Sequence, residues 1–478
     1  MSTICAIATA TGGAIGIVRV SGKKAIEIVD SIFFSASGKR LYDYANQSLA
    51  FGNILTDDGT LLDEVLVSVF RAPHSYTGED CVEISCHGSS YILQNVVQLL
   101  LNHGCDNAQP GEFTKRAFLN GRMDLSQAEA VADLIASTNS ATHRLAMSQM
   151  KGGFSKELRR LRDQLLDMTS LLELELDFSE EDVEFADRTK LLDLSEEISR
   201  AIKRLTGSFE TGNAIRNGIP VAIIGATNVG KSTLLNQLLN DDKAIVSDIH
   251  GTTRDVIEDC ITLRGVNFRF IDTAGLRQTE DVVENMGIER TYERIKNAQI
   301  VLWLIDATMI LDILSSSDNQ NSDLENNIIE VRDKIIPLTA GKTLIVVINK
   351  CDAIEEERLY DIYNFVYANA GINENETIRI SAKTGENISA LTDMLVDASI
   401  NTEYNNTDII VTNIRHYNAL IQADKYLNAS RNSLLAGIPS DLVAEDLRDC
   451  LRSLDDILGQ FTSDETLGHI FSHFCIGK

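Results

Sequence analysis

The stretch GATNVGKS, residues 225–232, decides the fold of the middle of this chain. It follows the apolar run PVAIIG and precedes STLLNQLL, and a glycine-rich turn between a strand and a helix is the context of a phosphate-binding loop. Gly225 and Gly230 allow the tight turn, and amides at the helix N-terminus can cradle phosphate oxygens. Lys231 can reach the β- and γ-phosphates, and Ser232 can bind Mg²⁺. The sequence therefore predicts a nucleoside triphosphate site.

Three further motifs follow in the order expected of a GTP-binding domain. In DTAG, residues 272–275, the carboxylate can hold Mg²⁺ through water, and the backbone N–H of Gly275 can donate to the γ-phosphate. In NKCD, residues 349–352, a buried Asp352 would accept hydrogen bonds from N1–H and the 2-amino group of guanine. SAK, residues 381–383, would contact the same base through its backbone. Because adenine offers no matching donors and would leave the carboxylate unpaired, the predicted ligand is GTP.

A switch loop is predicted between the phosphate loop and DTAG. It contains GTTRD, residues 251–255, which can present the hydroxyl of Thr253 to the metal. Leu276 follows DTAG, where many GTPases have the glutamine that orients the attacking water. Leucine cannot hydrogen-bond water, so catalysis needs another source of orientation and of positive charge.

The spacing of apolar residues differs between segments of the chain. Five continuous runs, PVAIIG, RFIDTAG, QIVLWLIDA, TLIVVINK and TIRISAK, are typical of buried parallel strands. We predict a multidomain α/β protein with a doubly wound, mostly parallel Ras-like P-loop domain over 216–385. It is inserted into an all-α domain formed by 121–215 and 386–478, which begins near a capping-box pattern at 126–129. Short alternating strands predict an N-terminal α+β domain over 1–120.

Composition limits the possible partners. Among 478 residues, 43 Lys and Arg against 70 Asp and Glu give a formal charge of -27, which argues against a general nucleic-acid coat and confines RNA contact to local sites. Eight cysteines without a CxxC pair indicate neither a disulfide framework nor a zinc ribbon, and they fit a reducing cytoplasm. No apolar run approaches the roughly 20 residues that a membrane span requires, so no membrane association is expected.

The motifs together resemble the MnmE (TrmE) family of tRNA-modification GTPases. The resemblance is carried by GATNVGKS, AIVSDIHGTTRD, DTAGLR followed by VENMGIER, and the terminal FCIGK. It extends over the whole chain through GEDCVEISCHG and FLNGRMDLSQAEA in the first third. The P-loop domain alone does not decide the family, because Era-like and EngA-like ribosome-assembly GTPases share NVGKS and GTTRD.

The resemblance implies a homodimer in which two G domains meet and K⁺ replaces an arginine finger. The ion would be bound by Asn228, Ser247, Ile249 and Thr252, where a cation beside the phosphates neutralises developing charge. Glu284, in DVVENMG, matches the water-orienting carboxylate and would act in catalysis with the P-loop lysine. The residues predicted to contact GTP are Asn228, Val229, Gly230, Lys231, Ser232, Thr233, Ser247, Asp248, Ile249, His250, Gly251, Thr252, Thr253, Asp272, Thr273, Ala274, Gly275, Asn349, Lys350, Asp352, Ser381, Ala382 and Lys383.

The resemblance also implies a one-carbon tetrahydrofolate, 5-formyl or 5,10-methylene, bound to the N-terminal domain. Its ligand positions match Arg19, Glu83, Arg122 and the terminal Lys478. Basic groups suit a glutamate carboxylate, and Glu83 can accept from the N–H groups of the pterin. Many relatives have Lys where this chain has Arg122, which alters the contact geometry. If FCIGK reaches this pocket, Cys475 arrives at the one-carbon site as a nucleophile or acid–base group.

The predicted function is that of a K⁺-dependent GTPase working with an FAD-dependent, MnmG (GidA)-type protein in a heterotetramer or larger complex. Together they would add an aminomethyl or carboxymethylaminomethyl group at C5 of the wobble uridine U34 of certain tRNAs, and GTP hydrolysis would drive conformational switching. One alternative is a ribosome-assembly GTPase of the Era/EngA type, which would carry a basic RNA module that neither flank shows. The other is a folate enzyme that turns over without GTP and whose G domain is only regulatory.

Overall fold

The computed structural model describes most of the chain. The described residues are 1–177, 188–239, 245–246, 259–271, 295–315, 333, 336–370, 374–400, 409–460, 463–472 and 474–477. They form two compact units. The first contains Met1–Ile135, Ala146–Lys203 and Asn418–Lys478, and the second contains Ala136–Leu145 and Arg204–Tyr417.

The first unit contains a mainly antiparallel sheet. Its strands are β1 (Ile4–Ile7), β2 (Ile15–Ser21), β3 (Phe33–Ser35), β4 (Ser48–Leu55), β5 (Leu61–Phe70), β6 (Cys81–His87) and β7 (Asp106–Asn107). Their spatial order is β3-β4-β5-β6-β2-β1-β7, and only the β1–β7 pair is parallel. The helices α1 (Ala25–Ile32) and α2 (Ser90–Asn102) lie against the sheet, and α3 (Glu112–Leu119) follows. Alternate strand residues such as Val18, Val67 and Ile84 are buried, which confirms the predicted α+β texture.

Most residues of the helices that follow belong to the first unit. Their bounds are α4 (Leu125–Ala136), α5 (Ser140–Met150), α6 (Gly153–Asp177), α7 (Arg188–Gly207), α13 (Ile414–Leu435), α14 (Ser440–Leu458) and α15 (Asp464–Ser472). Helices α4, α5, α7 and α13 each include residues of the second unit. Helices α6 and α14 pack together, and Arg162 Nε donates to Oδ1 of the buried Asp455 at 2.6 Å. Segments from both ends of the chain thus share one helical core, as the inserted arrangement predicts.

The start of α4 differs from the predicted capping box. The cap is Asp124, whose Oδ1 accepts from the backbone N–H of Gln127 and the hydroxyl of Ser126, each at 3.0 Å. Asp124 also accepts from Arg159 at 2.6 Å. Ser126 is buried within the first turn, so a carboxylate two residues earlier meets the free amides of the helix.

The second unit is a doubly wound α/β domain. Its strands are β8 (Ile219–Ile224), β9 (Ile245–Val246), β10 (Asp259–Leu263), β11 (Val266–Phe270), β12 (Ile300–Asp306), β13 (Thr343–Asn349) and β14 (Thr377–Arg379). Their order is β14-β13-β12-β8-β11-β10-β9, with parallel pairing from β14 to β11 and antiparallel pairing of β10 with β11 and β9. Each of the five predicted runs overlaps a strand, so the fold prediction is confirmed.

Helices cover both faces of this sheet. They are α8 (Phe209–Asn217), α9 (Lys231–Leu239), α10 (Ala307–Ser315), α11 (Glu356–Ala370) and α12 (Ile388–Ile400). Leu234 and Leu391 belong to the apolar core on one face, and Ile310 and Ile362 belong to the core on the other. Strands β9, β10 and β11 lie on one side of β8, and the chain then crosses to β12 on the other side. Doubly wound sheets bind ligands at the carboxyl ends of the strands where the strand order reverses in this way.

None of the helices within the described ranges is long and apolar enough to cross a membrane.

Candidate functional site

The phosphate loop lies at the carboxyl end of β8 and leads into α9. Gly225 has φ +147° and Gly230 has φ +98°, a region that side chains other than glycine rarely adopt. A Cβ on Gly225 would lie 2.4 Å from the carbonyl oxygen of Leu304, and one on Gly230 would lie 2.3 Å from Nδ2 of Asn349. Gly225 is therefore required by close approach of the Leu304 backbone and Gly230 by close approach of the Asn349 side chain, and both are required by conformation.

The residues of the loop present groups suited to phosphate. Helix α9 begins at Lys231, so the positive end of its dipole lies at the phosphate loop. Nζ of Lys231 donates to the carbonyl oxygens of Gly225 at 2.8 Å and Ala226 at 2.7 Å. The lysine thus spans the loop that would surround a phosphate. Asn228 lies exposed at the tip with φ +60°.

Asn349 joins the motifs that were predicted to form the nucleotide site. Its side chain is buried, and its Nδ2 donates to the carbonyl oxygen of Val229 in the phosphate loop at 2.7 Å. Its Oδ1 accepts from the backbone N–H of Ala382, in SAK, at 2.9 Å. Ser381 is fully buried, and its hydroxyl accepts from the N–H of Thr384 at 3.1 Å. One amide side chain therefore holds three separate segments at one edge of the sheet.

The base-reading end of this site follows Asn349. Lys350 has φ +64°, and its Nζ lies 2.6 Å from Oδ2 of Asp306. Asp352 lies in the 3₁₀ turn Cys351–Ala353 and is exposed, so the expectation of a buried carboxylate is wrong for the chain itself. The turn carries Asp352 out of the sheet core and leaves its carboxylate exposed. Cys351 is buried, and burial raises the pKa of its thiol to about 11, so it stays neutral.

A second polar site lies on the sheet of the first unit. Arg19 on β2 is the register partner of Glu83 on β6, and its Nε and Nη2 lie 2.9 Å and 2.8 Å from Oε1 of Glu83. The guanidinium carbon lies 5.5 Å from the ring centre of Tyr76 and 5.6 Å from that of Phe113. Burial raises the pKa of Tyr76, whose hydroxyl hydrogen-bonds Thr114 Oγ1 at 2.8 Å. Two aromatic rings therefore flank the Arg19–Glu83 ion pair.

The C-terminal segment docks beside this ion pair. Nη1 of Arg19 donates to the carbonyl oxygen of Gly477 at 3.2 Å. The N–H of Gly111 donates to the carbonyl oxygen of Cys475 at 3.3 Å. Phe474 is buried in a small apolar cluster. Gly477 is buried with φ +93°, and a Cβ there would lie 2.3 Å from the carbonyl oxygen of Ile7. The segment is therefore tied down on both sides of the exposed Cys475.

Comparison with known proteins identifies the family. The model of the TrmE N-terminus, described as a GTP-binding protein, matches residues 3–122, and that of the MnmE helical domain matches residues 125–475. The tRNA modification GTPase MnmE of Bacteroides thetaiotaomicron is 56% identical over 477 residues, covering 100% of this chain and 99% of that protein. The chain belongs to the MnmE family.

A second relative agrees with this assignment. The tRNA modification GTPase MnmE of Flavobacterium johnsoniae is 50% identical, covering 100% of this chain and 99% of that protein. Among solved structures, a variant of Aquifex aeolicus Era bound to GDP.AlF4- is 27% identical, covering 43% of this chain and 65% of that chain, with a TM-score of 0.28. The resemblance to MnmE predicted from the motifs is confirmed. Both segments that flank the P-loop domain fall within matched MnmE family models, which favours this family over the ribosome-assembly alternative.

Several residues predicted from the motifs or from the MnmE resemblance lie outside the described residues. They are Ser247, Asp248, Ile249, His250, Gly251, Thr252, Thr253, Asp272, Thr273, Ala274, Gly275, Glu284 and Lys478. Asn228 and Ser232 lie within the described residues, but the K⁺ and Mg²⁺ ligands and the water-orienting carboxylate all stay predictions. Within the described part of the chain, no group of three or more His, Cys, Asp or Glu side chains could hold a metal ion.

The structure places residues beside the predicted sites that no sequence motif identifies. Arg122 is exposed on the loop after α3, its stem beside Gly78, and it does not take part in the Arg19–Glu83 pair. Tyr76 and Phe113, which flank Arg19, carry no motif and could be found only from the fold. In the sequence, Asp306 appears only as part of an apolar run. A charged residue at the end of such a run is itself a signal of a functional position.

Proposed function

We propose that this chain hydrolyses GTP to GDP and phosphate and takes part in tRNA modification. The observation that carries the proposal is the buried side chain of Asn349, which connects the phosphate loop to SAK through Val229 and Ala382. A base bound between NKCD and SAK is thereby held at a fixed distance from phosphates bound at α9. This arrangement suits a guanine nucleotide, because Asp352 is exposed and able to accept from N1–H and the 2-amino group.

The chain's own residues would bind and orient the triphosphate. Lys231 exchanges its two carbonyl partners for the β- and γ-phosphate oxygens, which are stronger acceptors because they are charged. Ser232 in the first turn of α9, together with Thr253, would hold Mg²⁺, which neutralises phosphate charge. Glu284 would orient the attacking water, in place of the glutamine that Leu276 replaces.

K⁺ suits the tip of the phosphate loop. Asn228 is exposed there and has positive φ, so its side-chain oxygen is accessible to a cation beside the phosphates. Ser247, Ile249 and Thr252 would complete the ligand set, and the ion would supply positive charge in the transition state. Two G domains of a homodimer would meet over these sites.

A one-carbon tetrahydrofolate suits the second polar site. Both Arg19 contacts go to Oε1 of Glu83, so Oε2 can accept from the pterin N–H groups. Tyr76 and Phe113 supply flat apolar surface beside it. Lys478 and Arg122 would meet the glutamate carboxylate. Cys475, on the docked terminal segment, would act at the one-carbon unit.

The wider reaction follows from the MnmE family membership. An FAD-dependent MnmG-type partner would join the homodimer in a heterotetramer or larger complex in the cytoplasm. The complex would modify U34 of certain tRNAs at C5, with 5-formyl- or 5,10-methylene-tetrahydrofolate as the one-carbon source. We propose the division into 1–120, 121–215, 216–385 and 386–478 as the corresponding domains.

The proposal is tested by assaying tRNA modification with and without GTP in the presence of the flavoprotein. We expect modification to require GTP, and modification that proceeds equally without GTP would favour the purely regulatory G domain. GTP turnover is then compared in KCl and NaCl at equal ionic strength. Equal turnover would contradict the K⁺ site at Asn228. Replacing Cys475→Ser should abolish modification and leave GTP turnover intact, and unchanged modification would reject a chemical role for the thiol.

A further inference from the structure

An acidic residue at the end of β12 faces the base-reading segment. Asp306 is the register partner of Asn349, and only 4% of it is exposed. Its Oδ1 accepts from the backbone N–H of Thr308 at 2.9 Å and from the Thr308 hydroxyl at 2.7 Å. Its Oδ2 lies 2.6 Å from Nζ of Lys350. A buried carboxylate that has donors at both oxygens is fixed in position.

Lys350 has a backbone conformation that needs such a restraint. At φ +64° it lies in the left-handed region, which is unfavourable for a residue other than glycine. It immediately precedes the 3₁₀ turn Cys351–Ala353, and the N–H of Ala353 donates to its carbonyl oxygen at 3.1 Å. The conformation of Lys350 therefore sets the direction in which Asp352 leaves the strand.

We propose that Asp306 is a positioning residue that determines guanine specificity. It holds Lys350 in the left-handed conformation and so aims the carboxylate of Asp352 at the edge of the base. The inference rests on the proposed function, in which Asp352 accepts from N1–H and the 2-amino group of guanine. Asp306 itself touches no nucleotide, because its two oxygens are occupied by Thr308 and Lys350.

A purely structural role for Asp306 makes a different prediction. If Asp306 only stabilised the β12–β13 edge, its loss would weaken binding of all nucleotides in proportion. If it aims Asp352, its loss reduces the preference for bases that carry the 2-amino group. The ratio of the affinities for GDP and inosine diphosphate, which lacks only that group, separates the two roles.

The test is Asp306→Asn in the full-length chain. The amide retains an acceptor for Thr308 and turns a donor toward Lys350, so the restraint is lost with little change of shape. If the 2-amino contact gives the wild-type chain an approximately 10- to 100-fold preference for GDP over inosine diphosphate, we expect the variant to retain about 3-fold or less. Thr308→Ala is the matched control, because it removes a hydrogen bond to the same carboxylate without touching Lys350, and its ratio should equal that of the wild type. A wild-type ratio in Asp306→Asn overturns the proposal.

Two further variants keep the test decisive. Asp352→Asn should move the preference toward xanthosine diphosphate, whose carbonyl at C2 matches an amide donor, and failure to do so contradicts the base site itself. If that shift occurs while Asp306→Asn retains the wild-type ratio, only the role of Asp306 is rejected. Should Asp306→Asn not fold, Lys350→Met removes the ammonium group and keeps its apolar stem. The same loss of the ratio is expected, and an unchanged ratio rejects the restraint.

Discussion

Replacing Gly477→Ala should release the C-terminal segment from the first unit. The alanine Cβ would lie 2.3 Å from the carbonyl oxygen of Ile7, and φ +93° adds about 1–2 kcal/mol of strain. Against this, the hydrogen bonds from Gly111 to Cys475 and from Arg19 to Gly477 hold the segment by about 0.5–1.5 kcal/mol each, or about 1–3 kcal/mol together. Strain and clash therefore match or exceed the energy of these two hydrogen bonds, so residues 475–477 should detach while Phe474 stays in its apolar cluster.

Hydrogen exchange at Gly111 measures this detachment. Its amide donates to Cys475 only while the segment is docked, so about 1–3 kcal/mol of docking slows its exchange about 5- to 150-fold. We expect Gly477→Ala to remove that protection and to weaken binding of 5-formyltetrahydrofolate, without changing GTP turnover.

Gly59→Ala is the matched control. Gly59 has φ +82° in the β4–β5 turn, but a Cβ there meets nothing within 4 Å, so the strain is similar and the clash is absent. This control should leave the exchange at Gly111 and the folate affinity unchanged. If Gly477→Ala behaves like Gly59→Ala, the docked segment does not depend on the close approach to Ile7, and the reasoning is refuted.

Three further perturbations test other parts of the structure. Gly230→Ala places a Cβ 2.3 Å from Nδ2 of Asn349 and should raise the dissociation constant for GDP at least about 100-fold in calorimetry, while a wild-type value would contradict the close approach. Arg19→Lys keeps the charge but loses the forked contact with Glu83, so folate binding should weaken about 10-fold by fluorescence titration, with unchanged GTP turnover as its control. Burial raises the pKa of the Cys81 and Cys450 thiols from 9.0 to about 12, so the folded state holds protons that the unfolded state loses. The free energy of unfolding should therefore fall between about pH 9 and 12 in denaturant titrations, and a constant value there would contradict the burial.

The sequence predicts the features of this fold that depend on local pattern. Continuous apolar runs identify β8, β12 and β13 because strands buried on both faces have no polar positions. The phosphate loop is equally visible because both Gly225 and Gly230 are forced by φ and by close neighbours.

Features that depend on tertiary geometry could not be predicted. The exposure of Asp352 depends on where a short turn points, which no local pattern encodes. The cap of α4 was assigned to Ser126 because the pattern fits two overlapping starts, and the stronger acceptor, Asp124, took the position. Tyr76 and Phe113 meet Arg19 only because distant segments fold together.

Continuous polypeptide connects the second unit to the Arg19–Glu83 pair, the proposed folate site. Residues 204–417 of the second unit are inserted between segments of the first, so the chain re-enters the first unit through α13 and continues through α14 and α15 to the docked residues 474–477. The carbonyl oxygen of Gly477 accepts a hydrogen bond from Arg19, which is also the ion-pair partner of Glu83. A displacement of α15 would move the Gly477 carbonyl and change the partners of Arg19 without any contact between nucleotide and folate. We therefore expect Gly477→Ala to uncouple GTP turnover from folate chemistry. A loss of folate affinity alone would not be enough to support this connection.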